Sequence, residues 1–106
     1  MAQSIALSTA VIAIGAGGDE AVVSTAFHIT SASSLSCVPQ IAVDSSNATL
    51  TNCQYVNLAT GAVSAAGTAL TANGVYAIYH PGCYCALNVT AGTATCFVQR
   101  VYGRAF

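Results

Sequence analysis

The chain has 106 residues, of which 55% are apolar and only 5% are charged, with a formal net charge of −1. This composition excludes a disordered chain. It also excludes a basic surface for nucleic acid or anionic membranes, because Arg100 and Arg104 are the only Lys or Arg residues. The length predicts a single domain over residues 1–106. Because a surface with so little charge tends to associate, we expect an oligomer or a subunit of a larger assembly.

The N-terminal segment is apolar but lacks the positive charge that begins a signal peptide. Its apolar part, residues 5–16, is too short to span a bilayer. Since the sequence begins with Met, we expect synthesis in a cytoplasm. Residues 5–8 and 11–14 predict a first strand or pair of strands, which ends at the glycine-rich segment 15–20.

The next segment, AVVSTAFHIT at residues 21–30, has the alternation of a half-buried strand. It places Val23, Thr25, Phe27 and Ile29 on one side and His28 on the opposite side, towards solvent. The SASS segment that follows predicts a break.

The rest of the chain continues with short strands and turn residues. Further strands are predicted at residues 37–43, 48–58, 75–80, 83–89 and 95–102. DSSN separates the first two, Asn73-Gly74 is the strongest hairpin signal, and Ala91-Gly92 separates the last two. Residues 60–69 predict a loop or weak strand. About seven or eight strands with turns roughly every ten residues predict an all-β fold, an antiparallel β-sandwich or jelly-roll-like small barrel.

Two segments of this pattern resemble the small β-sandwich head-decoration, or cement, proteins of tailed bacteriophages. The matching residues are those at 24–27 (STAF) and Tyr76, Pro81, Gly82 and Tyr84. The resemblance covers roughly residues 21–98 and implies a homotrimer on the capsid exterior of a virion. Such a protein bridges major capsid protein subunits against internal pressure. The alternatives are another minor virion component, such as a spike base or tail-associated subunit, and a non-viral adhesion or interaction module.

The five cysteines are Cys37, Cys53, Cys83, Cys85 and Cys96, and the odd count leaves at least one free or bonded to another chain. A hairpin centred on Ser45 would place Cys37 opposite Cys53, within disulfide reach at ordinary cross-strand distances. Pro39 weakens that register, because proline within a strand requires an edge or a bulge. The same register fits either a disulfide or two neighbouring thiols.

A second hairpin, folded around Ala91-Gly92, would place Leu87 opposite Cys96 and Cys85 diagonal to Cys96 on the same face. A bulge would bring Cys85 and Cys96 within disulfide distance. A cytoplasm keeps such thiols reduced. We therefore expect any disulfide among Cys37, Cys53, Cys85 and Cys96 to form only after a particle leaves its host.

The HPGCYC segment, residues 80–85, combines a histidine with two thiols. His80, Cys83, Cys85 and Cys96 do not have the spacing of a standard zinc site, and buried apolar thiols are the simpler interpretation. No acid or amide is identifiably arranged to activate a Cys–His nucleophile. We therefore expect no metal, no cofactor and no enzymatic activity. The Pro-Gly pair predicts a corner that leads into a buried strand, with Cys85 facing the core.

Aromatic and arginine residues near the C-terminus are candidate contacts with a partner. Tyr76, Tyr79 and Tyr84 either fill the core with their hydroxyls at its rim or contact a neighbouring subunit. Arginine is suited to ion pairs at interfaces. We predict an interface that includes Tyr79, Arg100, Arg104 and Phe106.

Overall fold

The computed structural model describes residues 3–15, 22–42, 50–80 and 84–102. Within these ranges the chain is all β, and every strand pairing is antiparallel. The strands are β1 (Gln3–Leu7), β2 (Ala10–Gly15), β3 (Val22–Ala42), β4 (Thr51–Asn52), β5 (Tyr55–Asn57), β6 (Val63–Ser64), β7 (Gly74–Tyr79) and β8 (Tyr84–Tyr102). The predicted antiparallel all-β class is confirmed.

Two long strands, β3 with 21 residues and β8 with 19, run through both layers of the sandwich. The first half of β3 pairs with the second half of β8 and with β7, whereas its second half pairs with the first half of β8 and with β4. The six-stranded layer therefore has the order β1-β8-β3-β7-β5-β6, and the four-stranded layer has the order β2-β8-β3-β4.

Both long strands bend at a corner, formed by residues 31–36 of β3 and 90–93 of β8. In β3, Ser31 and Ser34 have φ angles of 55° and 50°, and the register with β8 shifts repeatedly across this segment. In β8, Gly92 has a φ of 77°, a conformation that glycine adopts without steric cost. The SASS segment predicted as a break is therefore a bend within one strand.

Several other predicted strand boundaries are wrong. Ala91-Gly92 does not end a strand, because β8 continues through it and changes layer there. Residues 48–58 contain two short strands, β4 and β5, which pair with different neighbours. The predicted turns at 44–47 and 81–82 and the glycine-rich segment at 16–20 lie outside the described residues.

The predicted hairpin at Asn73-Gly74 is also wrong. Strand β7 begins at Gly74 and pairs with β3 and β5, while the preceding β6 pairs only with β5 among the described strands. Asn73 instead supports the corner, since the backbone N–H of Ala32 donates a hydrogen bond of 2.9 Å to its Oδ1. This bond satisfies the backbone N–H group of Ala32 at a point where the β3–β8 register is irregular.

The core lies between the inner faces of the two layers. The six-stranded layer contributes Thr25, Phe27 and Ile29, which are buried as predicted. His28, on the opposite side of β3, is exposed as predicted. Tyr76 packs between the rings of Phe27 and Tyr55, with centroid distances of 5.7 and 5.8 Å. The four-stranded layer contributes buried apolar residues that include Ile14, Cys37, Cys85, Leu87 and Val89.

Candidate interaction surface and buried polar groups

The described residues form a regular surface on the outer side of the six-stranded layer. Strand register aligns its side chains in three rows that cross the layer. The rows are Phe97–His28–Val75, then Gln99–Ala26–Ala77–Val56–Val63, then Val101–Ser24–Tyr79. We call these eleven residues the outer face.

The outer face is mostly apolar, with Ser24, His28 and Gln99 as its polar members, and it carries no Asp, Glu, Lys or Arg. Among the described residues, six large hydrophobic side chains are exposed, and four of them lie here. These four are Val63, Tyr79, Phe97 and Val101. Exposed apolar clusters of this kind are typical of sites that bind another macromolecule.

Two shallow depressions shape the outer face. The first, of about 180 Å³, lies beside Tyr79 and Val63 and extends to Gln54. The second, of about 220 Å³, lies between Phe97, His28 and neighbouring residues of the outer face. Both are open to solvent and apolar in lining, so they fit side chains of a partner that packs on the sheet.

Of the four predicted interface residues, the two that the structure describes, Tyr79 and Arg100, lie on opposite faces of the six-stranded layer. Tyr79 is 74% exposed, the highest value among the four exposed large hydrophobic residues of the outer face. Arg100 lies on the inner side of β8, half-buried, and its Nη1 donates to Oε1 of Gln3 at 3.5 Å. Its buried Nε has no hydrogen-bond partner among the described residues. Arg104 and Phe106 lie outside the described residues.

The outer face was missed in the sequence, apart from Tyr79, although a signal was present. Strands β7 and β8 carry apolar residues at both alternating positions, for example Val75, Ala77 and Tyr79 beside Tyr76 and Ile78. A strand that is apolar on both sides predicts burial on both sides. Within the described part of the chain, only the inner side of these strands is covered by other residues.

A buried polar pair lies at the end of the sandwich away from the corner. Thr25 and His80 are 0% and 1% exposed, and Thr25 Oγ1 is hydrogen-bonded to His80 Nε2 at 2.6 Å. Because an unpaired polar group is costly in the core, this bond fixes the end of β7 against β3.

Replacing Thr25 with valine keeps the side-chain shape and removes this hydrogen bond. We expect a loss of about 1–3 kcal/mol in the free energy of unfolding, since His80 Nε2 loses a buried partner. Urea denaturation measures the loss. Thr25→Ser is the control that keeps the hydroxyl, and its loss is expected to be smaller. A Thr25→Val protein as stable as the wild type would contradict the assignment.

Four cysteines, Cys37, Cys53, Cys85 and Cys96, lie in the core as free thiols, and Cys83 lies outside the described residues. Burial raises the pKa of the Cys37 and Cys53 thiols to about 11 and that of Cys96 to about 12. The pKa of Cys85 is raised first by burial and second by Cys53. These thiols are therefore protonated and weakly nucleophilic at neutral pH.

Both registers used to pair the cysteines are wrong. Gln40 lies opposite Asn52, so Cys53 faces Pro39 and its N–H donates to the Pro39 carbonyl at 3.1 Å. Cys37 instead forms a bridge with Leu70, two backbone hydrogen bonds of 3.1 and 2.7 Å.

Cys85 and Cys96 belong to the same strand and to different layers, so the hairpin that was to join them does not form. Oxidation of the four thiols stays a prediction. Intact mass under non-reducing conditions tests it, and a mass equal to that of the fully reduced chain would exclude it.

The raised thiol pKa values predict slow chemical modification of the folded protein. At pH 8 a thiol with a pKa of about 11 is ionised in on the order of one molecule per thousand. We expect iodoacetamide to modify the four buried cysteines at least about 100-fold more slowly in the folded protein than in urea. Timed labelling with peptide mapping measures each site. Fast labelling of Cys37 or Cys96 without urea would contradict their burial.

The described residues contain no group of three or more His, Cys, Asp or Glu side chains placed to hold a metal ion. They also contain no helix whose length and apolar character would allow it to cross a membrane.

Comparison with known proteins gives no relative. No protein-family model matches the sequence, and no curated protein or solved structure shows significant similarity to it.

Proposed function

We propose that this chain is a structural subunit of a virion, a decoration or cement protein that stabilises the head of a tailed bacteriophage by bridging major capsid protein subunits. The observation that carries the proposal is the outer face. It is a regular, uncharged surface whose exposed side chains include Val63, Tyr79 and Phe97. A protein that works by adhering to a shell needs such a surface and needs no catalytic group.

The dimensions of the outer face fit an attachment role. It crosses five strands, which at ordinary strand spacing is about 19 Å. Tyrosine and phenylalanine are enriched at the centres of protein interfaces, and charged residues are depleted there. Because the face has no charge of its own, its partner surface is expected to be apolar or neutral as well. The major capsid protein is the proposed partner.

The remaining features of the proposal follow from the composition and the resemblance. Lys and Arg number only 2 in the full chain, which supports neither nucleic acid nor membrane as a partner. The resemblance to decoration proteins favours a homotrimer on the outer surface of the capsid, assembled from chains made in the host cytoplasm. The low charge also favours a function within an assembly.

Quantitative mass spectrometry of purified particles of the virus that encodes the chain tests this function. A copy number close to that of the major capsid protein is expected. A few copies per particle would favour a spike base or tail-associated subunit instead. Absence from purified particles, together with presence in infected or producing cells, would contradict a virion role and favour the non-viral interaction module.

A further inference from the structure

We propose that the edge formed by β1 and β2 joins two copies of this chain, by antiparallel pairing of β1 with β1 of a second copy. This contact uses a different surface from the outer face. It does not depend on the proposed capsid function, and it holds for whatever larger assembly the chain enters.

The first observation is that β1 is an edge strand of the six-stranded layer and β2 is an edge strand of the four-stranded layer. Both edges lie on the same side of the sandwich. Strand β1 pairs only with β8 in the six-stranded layer, and β2 only with β8 in the four-stranded layer, among the described strands. The opposite side of each strand presents backbone N–H and C=O groups that form no ladder within the described residues. Such a row is a template for pairing with another strand.

The second observation is the absence of the features that normally protect an edge. Residues 3–15 read QSIALSTAVIAIG and contain no charged residue and no proline. The strands are 5 and 6 residues long, and the only irregularity in their pairing with β8 lies between Ala13 and Gly15. Isoleucine, valine and threonine also favour the extended conformation. An edge of this composition is suited to pairing.

The third observation favours a second copy as the occupant. Ile5 and Ile12 lie at this edge, only partly buried, and pack against the core. A two-fold axis perpendicular to the sheet places β1 antiparallel to its copy with both inner faces on the same side. The second copy then brings its own Ile5 and Leu7 against the exposed rim. The unprotected rim and its partner have the same apolar pattern, and residues 3–15 of each copy carry no charge. The nearby charged group is Arg100, which donates a hydrogen bond to Gln3 of its own chain.

The exposed side of β1 allows a substitution that blocks this pairing and spares the core. Ala6 is exposed on the outward side of the strand, where a lysine reaches solvent. In the paired edge, two new lysines would lie close to each other and to the partner backbone, which is how natural edges avoid pairing. Ala59 is also exposed and lies in the turn between β5 and β6, so Ala59→Lys is a control with the same change in charge.

The experiment is sedimentation velocity of the purified full chain over a concentration series, with hydrogen exchange of β1 in parallel. We expect an even-numbered assembly, a dimer or a pair of trimers. Ala6→Lys is expected to halve its mass, Ala59→Lys to leave it unchanged, and the amides of residues 3–7 to become more protected as concentration rises. A wild-type monomer or lone trimer would overturn the proposal. An assembly that Ala6→Lys leaves intact would overturn it too. Neither readout involves virus particles, so the proposed function is tested separately.

Discussion

Replacing Gly92 with alanine is expected to destabilise the protein by about 3 kcal/mol or more, which is a large fraction of the stability of an ordinary domain. Gly92 has a φ of 77°, and a Cβ atom there would overlap the carbonyl oxygens of Ser33 and Ser34. Backbone atoms at the corner cannot rotate away as a side chain does. The strain therefore falls on the bend that joins the two layers. Thermal and urea denaturation measure the loss.

Gly61 supplies a matched control. Its φ of 76° is nearly the same, but a Cβ atom there would meet no other atom within 4 Å. Gly61→Ala is therefore expected to lower the free energy of unfolding by only about 1–2 kcal/mol, the cost of holding alanine at a positive φ. If Gly92→Ala yields no folded protein while Gly61→Ala folds, the prediction holds. Equal losses for the two variants would show that Gly92 is not packed against β3.

Replacing Tyr79 with aspartate is expected to weaken attachment of the protein to its particle by at least about 30-fold, or about 2 kcal/mol. Tyr79 is 74% exposed, so the fold tolerates the change. A carboxylate in the outer face would be buried without a partner in the interface, which opposes binding. Binding of the purified variant to particles depleted of the protein measures the loss.

Val11→Asp is the control for this experiment. Val11 is another exposed large hydrophobic residue, 38% exposed, but it lies on β2 in the four-stranded layer, away from the outer face. We expect Val11→Asp to bind particles as the wild type does. Binding of Tyr79→Asp equal to that of the wild type, or equal losses from Tyr79→Asp and Val11→Asp, would contradict attachment through the outer face.

Local alternation in the sequence was sufficient to predict which side of several strands is buried, although not where those strands end. Thr25, Phe27 and Ile29 were assigned to the core from their two-residue period, and Cys85 was assigned there with its strand. These assignments depend only on which side of a strand is apolar. The short strands around residues 3–15 and 74–79 were also found, because turn residues bound them.

Pairing could not be predicted, because turn residues do not distinguish a reversal from a bend. Gly92 and the serines at 31 and 34 have the residue types of turns, yet each lies within a strand that continues into the other layer. The predicted cross-strand positions of the cysteines are wrong as a result. Once β8 is continuous, Cys85 and Cys96 cannot face each other across a hairpin, and a two-residue change in register moves Cys53 from Cys37 to Pro39.

The interaction surface was predicted only at Tyr79. The other members of the outer face come from five different strands, and their alignment depends on register across β8, β3, β7, β5 and β6. Single residues such as Val63 or Val101 look unremarkable in a chain that is 55% apolar. Only the register between the paired strands shows that these residues form one uncharged face.

High-resolution electron microscopy of purified particles tests the central claim most directly. We predict density for this chain on the outside of the capsid, with the face that carries Tyr79 and Phe97 packed against the major capsid protein. Density in which that face points to solvent, or particles whose shell lacks the chain altogether, would contradict the account.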